Sequence, residues 1–192
     1  MPYSREHKEQ TRTRIVEAAR KLFNRYGFEQ VSIDQIMTAA SLTRGGFYYH
    51  FGSKDALYAE AVTSFAISNP FRHSIAVDPP PSPKALARRL INLYLSDEVF
   101  DDLDNHCPLY ALPGDVARAG AAPQRAYTDL VRGLLTVYET ALAGEHDARS
   151  RAHAIVALCV GGMVLARTTD EAALRQQLRA SARQQALTLV GE

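Results

Sequence analysis

The sequence predicts an all-α protein in which a small N-terminal three-helix bundle carrying a helix-turn-helix precedes a larger helical domain. Two observations predict this class. Apolar residues recur at three- and four-residue steps through most of the 192 residues, as they do in amphipathic helices. Capping residues and glycine or proline stops flank these stretches. The sequence contains neither the apolar–polar alternation of a strand nor an internal repeat.

The charge is balanced overall but uneven along the chain. The 22 Lys and Arg against 21 Asp and Glu give a formal charge of +1, which does not by itself indicate a nucleic-acid-binding protein. Residues 1–26, however, hold seven basic and three acidic side chains, a net +4. This segment leads directly into the helix-turn-helix, so its charge is a modest electrostatic footprint for DNA.

Neither a leader peptide nor a membrane span is expected. The chain does not start with a charged-then-apolar segment, and its most apolar stretch, residues 154–166, is too short to cross a bilayer. The two cysteines, Cys107 and Cys159, are too few for a disulfide framework and lack metal-ligand spacing. We therefore expect a cytoplasmic protein without a cofactor or a metal.

The first helix is predicted over residues 4–26, with Gly27 as its stop. One face is apolar and the other is basic, so the helix can pack on the helix-turn-helix as the third member of a bundle. The basic side around Thr11, Arg12 and Arg14 either passes near the DNA backbone or is a solvated charged face.

Residues 32–51 predict two short helices joined by a tight turn. Ser32 and Gln35 form a capping box, and Val31 can pack on Ile36 as a hydrophobic staple. After the turn at residues 40–42, Thr43 is a suitable cap for the second helix.

The second of these helices has an unusual outer face. Phe47 and Phe51 lie one turn apart and can anchor its inner side. The outer arc then consists of Arg44, Gly45 and the Tyr48–Tyr49 pair. Arginine can reach guanine edges, and tyrosine hydroxyls bind phosphate oxygens. Alternatively, the glycines permit close helix packing and the tyrosines are half-buried core.

The residues TRGGFYYHF at 43–51, followed by SKDAL at 53–57, closely resemble the DNA-binding domain of the TetR (tetracycline-repressor) family of bacterial regulators. The resemblance covers residues 9–65. It implies a dimeric repressor of a DNA operator, and it implies that Lys54 contacts the operator backbone. The predicted DNA-contacting residues are Ser32, Thr43, Arg44, Gly45, Gly46, Tyr48, Tyr49, His50 and Lys54.

Prolines between residues 68 and 83 predict a connection, and we expect domains at 1–68 and 69–192. Helices are predicted over residues 54–66, 83–97, 108–118 (disturbed by Pro113), 123–143, 147–167 and 170–190. The acidic cluster at residues 97–104 has no ligand spacing and predicts a solvated loop. Residues 105–109, NHCPL, resemble the Gly-Cys-Pro-Leu segment of some TetR-like regulatory domains, without its glycine.

The second domain is predicted to bind a small hydrophobic or aromatic effector, because mostly apolar linings with a few hydroxyls suit such ligands. The predicted pocket residues are Phe65, Tyr94, Phe100, Cys107, Tyr127 and Tyr138. Alternatively, these aromatic residues are ordinary core. Cys107, at a helix start beside His106, is either an electrophile-sensitive thiol or an unreactive one, whereas Cys159 should be inert.

The last two helices carry more apolar surface than one copy can cover, which predicts a homodimer with a four-helix interface. The predicted interface residues are Ile155, Val156, Val160, Gly161, Gly162, Val164, Leu174 and Leu178. Two other functions are alternatives to a DNA-binding regulator. One is an α-helical protein-interaction module that uses Tyr48 and Tyr49. The other is an enzyme using Cys107, which no triad or oxyanion pattern supports.

Overall fold

The computed structural model describes residues 5–68 and 80–191. Over these ranges the protein is all-α, as predicted, with eleven α-helices and no strand. The helices are α1 (Arg5–Tyr26), α2 (Ile33–Ala39), α3 (Phe47–His50), α4 (Lys54–Ser68), α5 (Pro83–Tyr94), α6 (Asp97–Asp101), α7 (Pro108–Ala111), α8 (Pro113–Arg118), α9 (Ala121–Ala141), α10 (Ala148–Thr168) and α11 (Ala172–Val190). Short 3₁₀ turns occupy Arg44–Gly46 and Leu103–Asn105.

The chain divides into two compact units. The first contains residues 5–68, 103–108 and 112–129, and the second contains residues 80–102, 109–111 and 130–191. The predicted connection falls largely on residues 69–79, which lie outside the described residues. The division into domains at 1–68 and 69–192 therefore stays a prediction.

Local capping signals begin and end the helices where the sequence predicts. The Gln35 amide donates to Ser32 Oγ at 3.2 Å, and the Ser32 amide donates to Gln35 Oε1 at 2.7 Å, which completes the capping box. Ser53 and Ser82 cap α4 and α5 with a single bond each, accepting from the amides of Ala56 and Ala85. Gly27 ends α1 with φ +79°, a conformation that costs glycine little.

The acidic segment after α5 differs from the prediction. The helix predicted to reach residue 97 ends at Tyr94, because Ser96 caps a new helix by accepting from the Val99 amide at 3.2 Å. The prediction of a loop is wrong, since residues 97–101 form a helix. Asp97 remains 77% exposed while it accepts from Arg179 Nη2 at 2.6 Å, and Asp104 pairs with Arg25. These contacts depend on residues about 80 positions away, and no local pattern reveals them.

The first unit packs its core between α1, the helix-turn-helix and α4. Ile15, Phe23, Ile36, Phe47 and Leu57 are all fully buried. The α1 and α4 helices also meet through aromatic rings, with the Phe23 and Tyr58 centroids 5.0 Å apart in an edge-on arrangement. This core fixes the side of α3 that turns inward, and therefore also the side that faces solvent.

The second unit is built around antiparallel α10 and α11. Arg151 near the start of α10 donates to the Leu189 carbonyl near the end of α11, and Gly162 meets Ala182 midway. Among the described residues, α10 alone has the length and composition of a membrane span. The expectation that residues 154–166 are too short to cross a bilayer therefore does not exclude a span by the whole helix. Core helices meet the same criteria, and Ile155 and Met163 of α10 are fully buried.

Candidate nucleic-acid interface

The second helix of the helix-turn-helix is shorter and starts more tightly than predicted. Thr43 occupies the cap position, but its side chain makes no capping hydrogen bond. A 3₁₀ turn at Arg44–Gly46 follows, and α3 itself contains four residues. Two successive glycines disfavour a regular first helical turn. The helix that follows this turn is nevertheless fixed on the core, because Phe47 and Phe51 are buried with ring centroids 5.8 Å apart.

The outer arc of α3 is open to solvent, as the DNA-reading interpretation requires. Tyr48 is 64% exposed and Tyr49 is 66% exposed, which excludes the alternative that this pair is half-buried core. A Cβ at Gly45 would meet no atom within 4 Å, so another molecule can approach the backbone closely there. Gly46 faces the other way, with the Met37 methyl 3.6 Å from its Cβ position.

The cations of α1 divide between supporting α3 and extending its exposed surface. Arg12 donates to the His50 carbonyl, pairs with Glu60 and lies 4.1 Å from the Phe51 ring centroid. Arg14 donates to the Ala40 carbonyl at 2.5 Å. Both arginines therefore bond to residues of the helix-turn-helix unit, which neither alternative for this side of α1 included.

Lys8 is a candidate contact residue that the sequence analysis missed. Its Nζ lies 4.4 Å from the Tyr49 ring centroid, which adds a cation to the exposed tyrosine arc. The signal in the sequence was its spacing, because Lys8 precedes Arg12 by four residues and so shares its helix face.

Two predicted contact residues, Ser32 and Lys54, already make side-chain contacts inside the fold. Ser32 Oγ accepts the capping bond from Gln35, although its hydroxyl hydrogen can still be donated. Lys54 Nζ donates to the Phe28 carbonyl and lies 4.1 Å from that ring. Burial lowers the pKa of Lys54, against the opposing effect of Glu29. Burial, followed by the nearby charges of Lys8 and Arg12, lowers the pKa of His50.

Two carboxylates from the later segments of the first unit hold the end of α1 and the loop before α2. Asp104 pairs with Arg25 through its carboxylate, and its carbonyl accepts from Arg20 at 2.9 Å and from Asn24 at 3.2 Å. Asp115 Oδ2 accepts from the Phe28 amide at 3.0 Å. Asp104 and Asp115 thus bond the later segments of the first unit directly to the structure that carries the helix-turn-helix.

The predicted effector residues are divided between the two units. Phe65, Cys107 and Tyr127 belong to the first, while Tyr94, Phe100 and Tyr138 belong to the second. Burial raises the pKa of Tyr127 to about 12, and Cys107 adds to the rise. In the second unit, Arg179 lies 4.2 Å from the Phe100 ring centroid, and Tyr94 meets Tyr110 edge-on at 5.4 Å.

Both thiols are buried. Cys107 is 5% exposed, and Cys159 is fully buried. Burial raises the pKa of Cys159 to about 12, which agrees with its expected inertness.

The predicted interface residues on α10 and α11 do not all face outward. Ile155, Val156 and Gly162 are buried within the single chain, so they offer little surface to a second copy. Val160, Gly161, Val164 and Leu178 are partly exposed, and Leu174 is 39% exposed. Leu165, which the sequence analysis did not select, is 53% exposed.

Known proteins resemble this chain in two different ways. Residues 15–61, covering the second half of α1, the helix-turn-helix and the first half of α4, match the family of bacterial regulatory proteins of the tetR type. The same region is 43% identical over 53 residues to the A-factor receptor protein of Streptomyces griseus and 45% identical over 47 residues to the regulator UidR of Escherichia coli K12. These matches cover 28% and 24% of this chain, and only 19% and 24% of those relatives.

The fold extends the likeness over nearly the whole chain. The reduced form of E. coli NemR superposes with a TM-score of 0.75 at 17% identity, covering 93% of this chain and 96% of NemR. The regulator SCO4454 of Streptomyces coelicolor gives 0.75 at 21% identity, covering 96% and 97%. Residues 15–61 therefore match the tetR family of bacterial regulatory proteins in sequence, and the chain as a whole shares the fold of these solved regulators.

Proposed function

We propose that the protein is a DNA-binding transcriptional repressor that binds a palindromic operator as a homodimer and releases it when a small hydrophobic or aromatic effector binds. The exposed arc of α3 carries the DNA-binding part of this proposal. Tyr48 and Tyr49 are about two-thirds exposed beside Arg44, on a helix whose phenylalanines are buried. A guanidinium suits guanine edges and phenols suit phosphate oxygens.

Dimerisation is supported by the apolar surface that remains exposed on the last two helices. Leu165 on α10 and Leu174 on α11 are the large apolar residues most open to solvent there. Ala157, Leu158 and Gly161 continue the Leu165 face along α10 at helical spacing. Two such surfaces related by a twofold axis form a four-helix interface and set two α3 helices for successive major grooves.

Effector release would act through the carboxylates that hold α1. A ligand that shifts residues 103–118 must strain or break the contacts of Asp104 and Asp115, since both bond directly to α1 or to the loop after it. Such a ligand would couple its own binding to the position of the helix-turn-helix. The aromatic residues predicted for the pocket favour an apolar ligand. The resemblance of residues 15–61 to the tetR family supports repression and a cytoplasmic location.

In vitro selection of duplexes, followed by fluorescence anisotropy, tests the DNA-binding part. We expect affinity for the selected duplex to fall steeply with salt because counterions are released. Arg44→Ala should lose about 1–3 kcal/mol of binding free energy and reduce the preference for one base pair, whereas Lys8→Ala should weaken binding to all sequences by the same factor. If selection enriches no duplex over the random pool, the exposed tyrosines instead serve a protein contact.

A further inference from the structure

A carboxylate shares the exposed surface of the predicted base-reading arginine. Arg44 Nη1 donates to Asp34 Oδ2 at 2.8 Å, joining the 3₁₀ turn before α3 to the first turn of α2. The two side chains are 66% and 54% exposed. Exposed ion pairs add little to stability, so the fold gains little from this pair beyond the favourable place of an acid near the start of α2.

The pair leaves most of the arginine available. A guanidinium carries five N–H donors in a rigid fork, and the bond to Asp34 engages one terminal nitrogen. The remaining donors can still reach the O6 and N7 acceptors of one guanine. Because the arginine side chain is long and otherwise free to rotate, holding it beforehand reduces the entropy that it loses on binding.

The carboxylate itself also matches a base edge. In the major groove, a G·C pair presents the guanine N7 and O6 acceptors beside the amino donor of cytosine N4. A guanidinium beside a carboxylate presents donors beside an acceptor, in the complementary order. An unpaired carboxylate at the same place would only be repelled by the phosphates.

We propose that Asp34 is a positioning and specificity-determining residue, which holds Arg44 so that the two side chains together recognise one G·C pair in a defined orientation. This inference rests on the proposed DNA-binding function. A competing account is that Asp34 merely occupies Arg44 in the free protein and opposes DNA of any sequence.

Selection with the unmodified protein and with Arg44→Lys identifies the base pair that depends on the guanidinium fork, because lysine keeps the charge but not the fork. Anisotropy then compares the selected duplex with one in which that pair is inverted. We expect Asp34→Asn to reduce the discrimination between the two duplexes at least about fivefold, the low end for a bidentate base contact. Added to Arg44→Lys, Asp34→Asn should reduce the discrimination by a smaller factor than it does alone, because the guanidinium that Asp34 holds is already gone.

Glu17→Gln is the matched control, because it removes another exposed carboxylate with a basic partner, on α1, and it should leave discrimination unchanged. Thermal unfolding checks that each variant is folded. If Asp34→Asn tightens both duplexes by the same factor or changes neither, the positioning role is overturned while DNA binding stands. If the unmodified protein enriches no duplex, the proposed function falls, and this inference falls with it.

Discussion

Two adjacent glycines in the middle of α10 should respond oppositely to the same substitution. A Cβ at Gly162 would lie 2.7 Å from the Ala182 Cβ and 3.4 Å from Leu95 Cδ2. A Cβ at Gly161 would meet no atom within 4 Å in the single chain. Gly161→Ala and Gly162→Ala therefore add the same methyl group at neighbouring positions, one into open space and one into the contact between α10 and α11.

The magnitudes follow from two opposing effects. Replacing a glycine inside a helix by alanine stabilises the fold by about 0.5–1 kcal/mol, and Gly161→Ala should show this gain. At Gly162 the same gain is opposed by overpacking, which costs roughly 1–3 kcal/mol in a packed core. The clash involves Ala182, a methyl group that cannot rotate away, so α10 and α11 must separate. We expect Gly162→Ala to lose about 1 kcal/mol net.

Urea unfolding at one fixed protein concentration measures both changes, because dimerisation makes apparent stability depend on concentration. Gly133→Ala on α9, where a Cβ would also meet nothing within 4 Å, is a second control outside the proposed interface. Equal stabilisation by Gly161→Ala and Gly162→Ala would show that α10 and α11 are not packed as described. The same geometry makes Gly162→Arg unsuitable as a test of dimerisation, since it would disrupt the single chain first.

Four further predictions concern stability, pH, assembly and DNA. Ser41 has φ +57° in the turn between α2 and α3, so Ser41→Gly should stabilise the fold by about 1 kcal/mol in thermal unfolding. Ala39→Gly, at the last residue of α2, should instead destabilise it by up to about 1 kcal/mol; a loss of stability in both variants would show that Ser41 is not strained. The hydrogen bond from Arg25 lowers the pKa of Asp104 in the folded protein. Its contribution to stability is therefore present above about pH 4 and is lost as pH falls through the folded pKa. In Asp104→Asn, the free energy of unfolding should consequently fall less between neutral and acidic pH. Leu165→Glu should yield monomers in sedimentation. Leu103→Glu changes an exposed leucine that belongs to the first unit, and it should leave the dimer intact. An unmodified protein that is already monomeric at micromolar concentration would contradict the dimer. Lys8→Ala should lower the salt dependence of DNA binding by about one phosphate contact per copy, and an unchanged slope would remove Lys8 from the interface.

The features that the sequence could predict are those set by neighbouring residues. The capping box at Ser32, the stop at Gly27 and the inward side of Phe47 each depend on a few adjacent positions. The family match likewise depends on one continuous segment, residues 15–61. Helix boundaries were correspondingly close, with α9 beginning two residues before the predicted proline start.

The features that escaped prediction depend on residues far apart in sequence. The pairing of Asp97 and Asp104 with arginines is not predictable from the local sequence, because those arginines lie about 80 residues away. Gly162 was assigned to a dimer interface because an apolar helix alone does not reveal which side its own chain covers. Leu165 was missed for the same reason, since only the packing of α10 on α11 decides which apolar side chains remain exposed.

Internal pairing lowers the number of α1 cations that can contact DNA phosphates. The sequence places a net +4 in residues 1–26, which would suggest several phosphate contacts from α1. Arg12, Arg14, Arg20 and Arg25 instead support the helix-turn-helix or bond to Asp104, and of the α1 cations Lys8 is the one in contact with the Tyr48–Tyr49 arc. Each neutralised phosphate adds about 0.9 to the salt slope. A slope below the value implied by the seven basic residues is therefore what the internal pairing predicts, and a slope that accounts for all seven would require those arginines to leave their partners on DNA.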